Sequence, residues 1–193
     1  MGKTQAIAAV GQAMLGLLAD AVPRDEFPTA QFELYQLTNF QTPMEEGVSL
    51  YLYRIAVNGT RRNLPATIGE DGRRYRPPLP LDLYYIVSAW AQTAVKQQRL
   101  LGWTIRTLED VPILPTNLLN HYGPESEIFR PGETAEIFLE SLSLQDLNNL
   151  WSLTRNNPPL SVGYVARMIH IESTLAITEH AEVQTRDLSF GKR

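Results

Sequence analysis

The 193-residue sequence contains no cysteine and only three histidines. Without cysteine, disulfide bonds and thiolate metal sites are excluded, and the composition suits a reducing compartment. None of the histidines (His121, His170 and His180) stands in an H-E-x-x-H or similar spacing of zinc ligands. The sequence therefore predicts neither a metal site nor a bound cofactor.

The sequence also lacks a long hydrophobic run. Its first apolar stretch, residues 7–22, is interrupted by Gly11, Gln12, Gly16 and Asp20. A membrane-spanning helix needs about 20 apolar residues, and the stretch has neither the basic start nor the cleavage site of a secretory signal. We expect synthesis in the cytoplasm and no direct insertion into a membrane.

An excess of positive charge is missing as well. The formal net charge is −4, whereas nucleic-acid-binding domains tend to be strongly basic. With 44% hydrophobic and 20% charged residues the composition is that of a globular protein. The length fits one domain, or one domain with an arm. We predict a domain over residues 1–178 and a polar C-terminal arm over residues 179–193.

Catalytic motifs are not recognisable. Gly2-Lys3-Thr4 resembles the end of a phosphate-binding loop, but only Met1 precedes it, and the mechanism requires a strand and a glycine-rich loop before the lysine. No G-x-S-x-G sequence is present, so the commonest serine-hydrolase signature is missing. The sequence predicts a protein that is not an enzyme.

The pattern of apolar residues predicts a mixture of helices and strands. Ile7, Val10, Met14 and Leu17 recur at helical spacing and predict a helix over residues 4–21. Because the order lacks regular βαβ alternation, we predict an α+β fold with a mixed, largely antiparallel sheet flanked by helices. Further predicted helices cover residues 93–109 and a segment after Ser143, and a linker with Pro112 and Pro115 is predicted from residue 110 to about residue 131. The predicted strands cover residues 31–37, 48–57, 81–91, 133–140 and 161–173; for residues 81–91 the start of a helix is the alternative.

Two of these elements carry detailed expectations. In residues 48–57 we place Leu50 and Leu52 on one face, and Tyr51, Tyr53 and Ile55 on the other. Such a strand, apolar on both faces, belongs inside a sheet or between a core and a partner.

The helix after residue 143 has a predicted capping box, in which the Ser143 side chain accepts from the backbone N–H of Asp146. Its apolar residues predict a buried stripe, made of Leu144, Leu147, Leu150 and Trp151.

Residues 58–80, called the arginine loop below, form the most unusual segment. Asn58-Gly59 predicts a turn, and several prolines and glycines follow it. Loops of this length are uncommon and often functional. Arginine presents a planar fork that suits carboxylates and phosphates. Three interpretations stay open: a solvated face, a surface that docks an acidic protein, or a contact with nucleic acid. The arginines concerned are Arg61, Arg62, Arg73, Arg74 and Arg76, close in sequence to Arg54.

Three blocks of the sequence resemble one known family. They are residues 7–18 (IAAVGQAMLGLL), 48–55 (VSLYLYRI) and 76–87 (RPPLPLDLYYIV), and weaker similarities extend the match to about residue 175. The family comprises the cap, or tail-terminator, proteins of extracellular contractile injection systems, which are related to contractile phage tails.

The resemblance implies a tail-terminator-like fold and a structural role. It implies a homo-hexameric ring on the last layer of the inner tube protein and the surrounding sheath protein. Such a ring ends tube growth, fixes particle length and becomes part of the assembled particle, with no catalytic residues and no nucleic acid as partner. We expect the five loop arginines to face the tube or the sheath. The alternative is an adaptor whose basic loop binds nucleic acid or another anionic surface.

Overall fold

A computed structural model describes residues 3–61, 64–69, 71–125, 127–152 and 159–177. Its helices are α1 (Ala6–Ala21), α2 (Ala94–Asp110), α3 (Thr116–His121) and α4 (Leu144–Ser152), with short 3-10 helices at Leu37–Gln41 and Gly59–Arg61. Its strands are β1 (Gln31–Leu34), β2 (Gly47–Val57), β3 (Thr67–Ile68), β4 (Arg74–Tyr75), β5 (Leu79–Trp90), β6 (Ile113–Pro115), β7 (Thr134–Glu140) and β8 (Ser161–Ile171).

Six of the strands form one sheet in the order β1-β2-β5-β8-β7-β6. β1 runs parallel to β2, and every other neighbouring pair in this order is antiparallel. β3 and β4 form a separate antiparallel pair. The predicted α+β class with a mixed, largely antiparallel sheet is therefore confirmed.

Helix α1 covers one face of the sheet. Within the predicted apolar stripe, Val10 and Met14 have no solvent exposure, and neither has Leu18, whereas Ile7 and Leu17 are partly buried against the core. Two glycines in α1 permit close packing, since a Cβ on Gly11 would lie 2.9 Å from Leu34, and one on Gly16 would lie 2.3 Å from the Tyr122 ring. The helix thus sits directly against β1 and against the residue that follows α3.

Helix α2 packs on the same face beside α1. Thr93 caps its N-terminus by accepting from the Lys96 backbone N–H at 3.3 Å. Leu100, Thr104 and Leu108 are fully buried, and the Thr104 hydroxyl donates to the Leu100 carbonyl oxygen at 2.8 Å. This hydrogen bond offsets the cost of burying the hydroxyl.

An aromatic cluster covers one end of the opposite face. The 3-10 helix Leu37–Gln41 places Phe40 against Tyr51, Trp90 and Trp151, with ring centroids 5.6, 6.1 and 5.6 Å apart. Tyr51 alternates with the buried Leu50, so the cluster lies on the side away from α1. The other end of this face carries Tyr84 and Phe138, both only half-buried.

Three predictions about elements were wrong. The predicted stripe of α4 is not buried, because no residue of this helix is fully covered: three of the four stripe residues are only partly buried, and Leu144 is 81% exposed. Only its capping interaction is confirmed, with Asp146 N–H donating to Ser143 Oγ at 3.1 Å. The linker expected from residue 110 to about residue 131 contains β6 and α3. The loop expected over residues 58–80 contains β3, β4 and the start of β5.

The predicted arm, residues 179–193, lies outside the described residues. Within the part of the chain that the structure describes, no helix has the length and hydropathy that a membrane crossing requires.

Candidate functional site

Asn58 holds the two ends of the arginine loop together. Its backbone N–H donates to the Pro80 carbonyl oxygen at 3.0 Å, and its side-chain amide donates to both carboxylate oxygens of Asp82 at 3.0 and 3.1 Å. Its amide oxygen accepts from the Thr60 backbone N–H and hydroxyl at 3.0 and 2.6 Å. Asn58 and Asp82 are both buried, so the loop starts from a fixed position.

The tip of the loop is a short hairpin built from β3 and β4. Gly72 supplies the left-handed backbone of its turn, with φ at +74°. Asp71 accepts from the Tyr75 hydroxyl at 2.7 Å and from the Arg73 backbone N–H at 3.1 Å. These two donors lower the pKa of the Asp71 carboxyl, and the same hydrogen bond raises the pKa of the Tyr75 phenol.

Residues 175–177 extend this hairpin to three strands. Arg76 N–H donates to the Leu175 carbonyl oxygen at 3.0 Å, and Ile177 N–H donates to the Arg74 carbonyl oxygen at 2.7 Å. We call β3, β4 and residues 175–177 the ribbon. Because the ribbon is paired on both sides of β4, the arginines it carries have a defined position.

The structure places the five predicted site arginines at different positions relative to the ribbon. Arg74 and Arg76 stand two residues apart in extended chain and share one face, while Tyr75 points to the other. Arg73 precedes the strand, and its Nε lies 3.7 Å from an Asp71 carboxylate oxygen. The side chain of Arg61 and the whole of Arg62 lie outside the described residues. The structure therefore brings two of the five arginines together on one exposed face.

A groove of about 850 Å³ separates the ribbon from the body of the domain. Its lining carries both signs of charge, with Lys3 and Arg130 against Asp71, Glu127 and Glu172. Arg130 and Glu172 form an ion pair at 3.0 Å across it. No histidine or cysteine belongs to the described lining, and the described residues contain no cluster of potential ligands that could hold a metal ion.

A second polar surface lies on the sheet face away from α1. The guanidinium of Arg54 lies 4.8 Å from the centroid of the Tyr84 ring, and that of Arg167 lies 4.4 Å from the centroid of Phe138. Tyr84 and Phe138 belong to one row across the sheet, joined through Val165 of β8. Stacking on a ring holds each guanidinium in place while leaving its N–H groups able to donate.

This second surface was missed because β2 contains an irregularity. The register with β5 shifts between Leu52 and Arg54. Ile55 therefore pairs with Leu83 and lies on the same face as Leu50, contrary to the predicted alternation, and Arg54 takes the opposite face. The sequence contained one partial indication of this surface, because Arg54 is a charged residue within an otherwise apolar strand.

The fold is shared with terminator proteins of contractile injection particles. One similar structure is the sheath/tube terminator of an extracellular contractile injection system, PVC, in its extended state, with a TM-score of 0.60, 17% identity, and coverage of 95% of this chain and 65% of that one. Another is the tube-terminating cap of the anti-feeding prophage, with a TM-score of 0.56, 18% identity, and coverage of 94% and 60%. The chain thus spans less than two thirds of either structure.

The family follows from the sequence match. The chain belongs to the family described as the Pvc16 N-terminal domain, whose model matches residues 9–185. This confirms the predicted membership of the cap and terminator family. No curated protein matches the chain.

Proposed function

We propose that this chain is a structural cap that terminates the tube and sheath of a contractile injection particle. The observation that carries the proposal is the match of the family over residues 9–185, together with a fold shared over 95% of the chain with a sheath/tube terminator. The protein acts by binding other subunits rather than by catalysis. It becomes part of the extracellular particle once assembly is complete.

The cap works as a ring of six identical copies, placed on the last layer of tube and sheath. A ring of identical subunits requires a head-to-tail interface that closes on itself. A stable contact of this kind buries about 800 Å² on each partner. Once the ring is in place, no further tube subunit can add, and the particle length is fixed.

The exposed face of the ribbon is the surface that meets the tube or the sheath. Arg74 and Arg76 project from it in the same direction, and Arg76 forms no ion pair with any described residue. Pairing on both sides of β4 fixes the backbone of this face, so little conformational entropy is lost on docking. Arg61, Arg62 and Arg73 belong to the same segment and contribute to its positive charge.

A charge-reversal experiment tests this surface. The double variant Arg74→Glu/Arg76→Glu is expected to lower the fraction of capped particles at least about tenfold, since two guanidinium contacts are replaced by like-charge repulsion. Negative-stain electron microscopy of purified particles gives the fraction, and thermal unfolding checks that the isolated chain still folds.

The matched control is Arg99→Glu/Arg106→Glu on α2, which changes the net charge equally and also replaces exposed arginines. It should leave capping unchanged. Normal particles from the ribbon variant would defeat the proposed role of this face. Particles of controlled length, made in the complete absence of the chain, would defeat the proposed function itself.

A further inference from the structure

The two edges of the six-stranded sheet differ in how well they are protected. β6 forms one edge with only three residues, and Pro112 and Pro115 stand beside and within it. Prolines and short length are devices that prevent edge strands from pairing with other chains. The opposite edge is formed by β1, which has four residues and covers only residues 47–50 of β2. The remainder of β2 is longer and contains no proline.

Residues 52–57 of β2, called the open edge below, have no partner strand on their outer side among the residues that the structure describes. On the inner side they pair with β5 in antiparallel register. The Asn58 N–H donates to the Pro80 carbonyl oxygen of the chain leading into β5. In an antiparallel pair every second residue bonds to the same neighbour, so the backbone groups of Ala56 and Arg54 also point towards β5. The N–H and C=O groups of Ile55 and Val57 therefore point outward, spaced for another strand.

The side chains along the open edge match such a strand. Ile55 and Val57 are 46% and 49% exposed, whereas their cross-strand partners Leu83 and Leu81 are buried. On the other face, Arg54 stacks on Tyr84 and forms no ion pair with any described residue. The edge thus offers two apolar contacts on one face and, on the other, a guanidinium to which no described residue supplies a carboxylate.

We propose that the open edge accepts an extended strand from a different protein chain. The strand carries apolar residues beside Ile55 and Val57, and a carboxylate within reach of Arg54. Strand addition supplies main-chain hydrogen bonds, and the alternating side chains supply specificity. The inference rests on the proposed function, since a cap must join itself to the chains of the particle it closes.

Pairing of two open edges from copies of this chain is disfavoured. An antiparallel contact over residues 52–57 would place the two Arg54 side chains opposite or nearly opposite each other, and like charges so placed are destabilising. Such a contact is also two-fold and self-complementary, whereas a ring needs a head-to-tail contact. The occupant is therefore not the open edge of a second copy.

Hydrogen exchange at single amides tests the proposal directly. The amides of Ile55 and Val57 are expected to exchange at least about tenfold more slowly in purified particles than in the isolated chain, because each gains a backbone acceptor. The amide of Ala56, bonded to β5 throughout, serves as the internal reference. Unchanged exchange at Ile55 and Val57 in particles that contain the chain would overturn the inference while leaving the proposed function intact.

A proline variant provides the second arm of the test. Val57→Pro removes one outward N–H without removing a bond to β5, and should reduce incorporation into particles about tenfold. The control Val95→Pro places proline in the exposed first turn of α2, where it is tolerated, and should incorporate normally.

Normal incorporation of a folded Val57→Pro variant would contradict the proposal. If the Ile55 and Val57 amides become protected when the purified chain alone is concentrated, the occupant is a second copy, and the assignment to a different chain is wrong. If the wild-type chain never enters particles, the proposed function itself is wrong, and this outcome is distinct from a failure of the open-edge proposal alone.

Discussion

At the scale of single residues, the packing of α1 depends on two glycines, Gly11 and Gly16, which have no side chain. Gly16 faces the ring of Tyr122, whose hydroxyl donates to the Asp20 carboxylate one turn further along α1. This hydrogen bond raises the pKa of Tyr122 to about 12. The residue after α3 is thereby fixed against α1 by a ring contact and a charge-assisted hydrogen bond.

Replacing Gly16 by alanine should destabilise the domain. Alanine is ordinarily favoured over glycine within a helix by about 1 kcal/mol. Here the new Cβ would lie 2.3 Å from the Tyr122 ring, so the ring must move and its hydrogen bond to Asp20 is lost. We expect a loss of about 1–3 kcal/mol, the usual cost of overpacking, measured by urea-induced unfolding.

Gly102→Ala provides the matched control, because nothing lies within 4 Å of its added Cβ on α2. It should raise stability by up to about 1 kcal/mol, giving a change of opposite sign. The Gly16 variant should also shift the pKa of Tyr122 from about 12 towards its ordinary value, as read from absorbance titrations against Tyr122→Phe. A Gly16→Ala protein as stable as Gly102→Ala would contradict this account.

At the scale of elements, the sequence predicted most of what is buried and regular. Six elements lie within two residues of their predicted positions at both ends, because each is long enough to show an apolar pattern: α1, α2, β2, β5, β7 and β8. α3, β6 and the ribbon strands were missed, since elements of two to six residues are too short to show a period. They form where the tertiary structure offers partners, as Leu175 does for Arg76.

The irregularity in β2 shows a second limit of predicting structure from the sequence. A one-residue shift reverses which face each later side chain takes. The shift between Leu52 and Arg54 therefore moves Ile55 to the face of Leu50 and moves Arg54 to the face of Tyr84. Both properties of the open edge, its apolar face and its guanidinium, follow from that shift, and the alternation of the sequence alone gave the wrong assignment for Ile55.

Helix α4 allows a direct test of the finding that its predicted apolar stripe is not buried. Of its predicted stripe, Leu147, Leu150 and Trp151 are only partly buried, and Leu144 is 81% exposed. Leu144→Ala should change the free energy of unfolding by less than about 0.5 kcal/mol, as is usual for surface substitutions. Leu108→Ala in α2, where the side chain is fully buried, should cost about 2–5 kcal/mol. Chemical denaturation of both variants decides the matter, and a similar loss from each would mean that α4 does bury its stripe.

At the scale of the whole molecule, the family could be predicted from three sequence blocks and the arginine loop could be singled out, whereas the pairing that forms the ribbon and the exposure of the open edge could not be predicted. The blocks at residues 7–18, 48–55 and 76–87 supply α1, β2 and β5, which form the centre of the domain. The ribbon face and the open edge depend on exposed residues, whose positions were fixed only by the fold.

Self-association is the property on which a capping role depends, and it gives the last prediction. A ring closed by head-to-tail contacts has a limiting size, because every interface is then satisfied. As its concentration rises, the purified chain of 21.8 kDa should therefore reach a plateau in mass. We expect that plateau at six copies, measured by sedimentation equilibrium.

The ribbon variant Arg74→Glu/Arg76→Glu should reach the same plateau, since its altered face is proposed to meet tube or sheath rather than a neighbouring copy. This separates ring closure from docking: a variant that forms rings but leaves particles uncapped locates the defect at the ribbon face. A chain that stays monomeric at every concentration, and also when mixed with particles, would remove the basis for a ring. Growth without a limit would indicate that the contacts do not close, and a molecule of that kind would extend a filament instead of ending it.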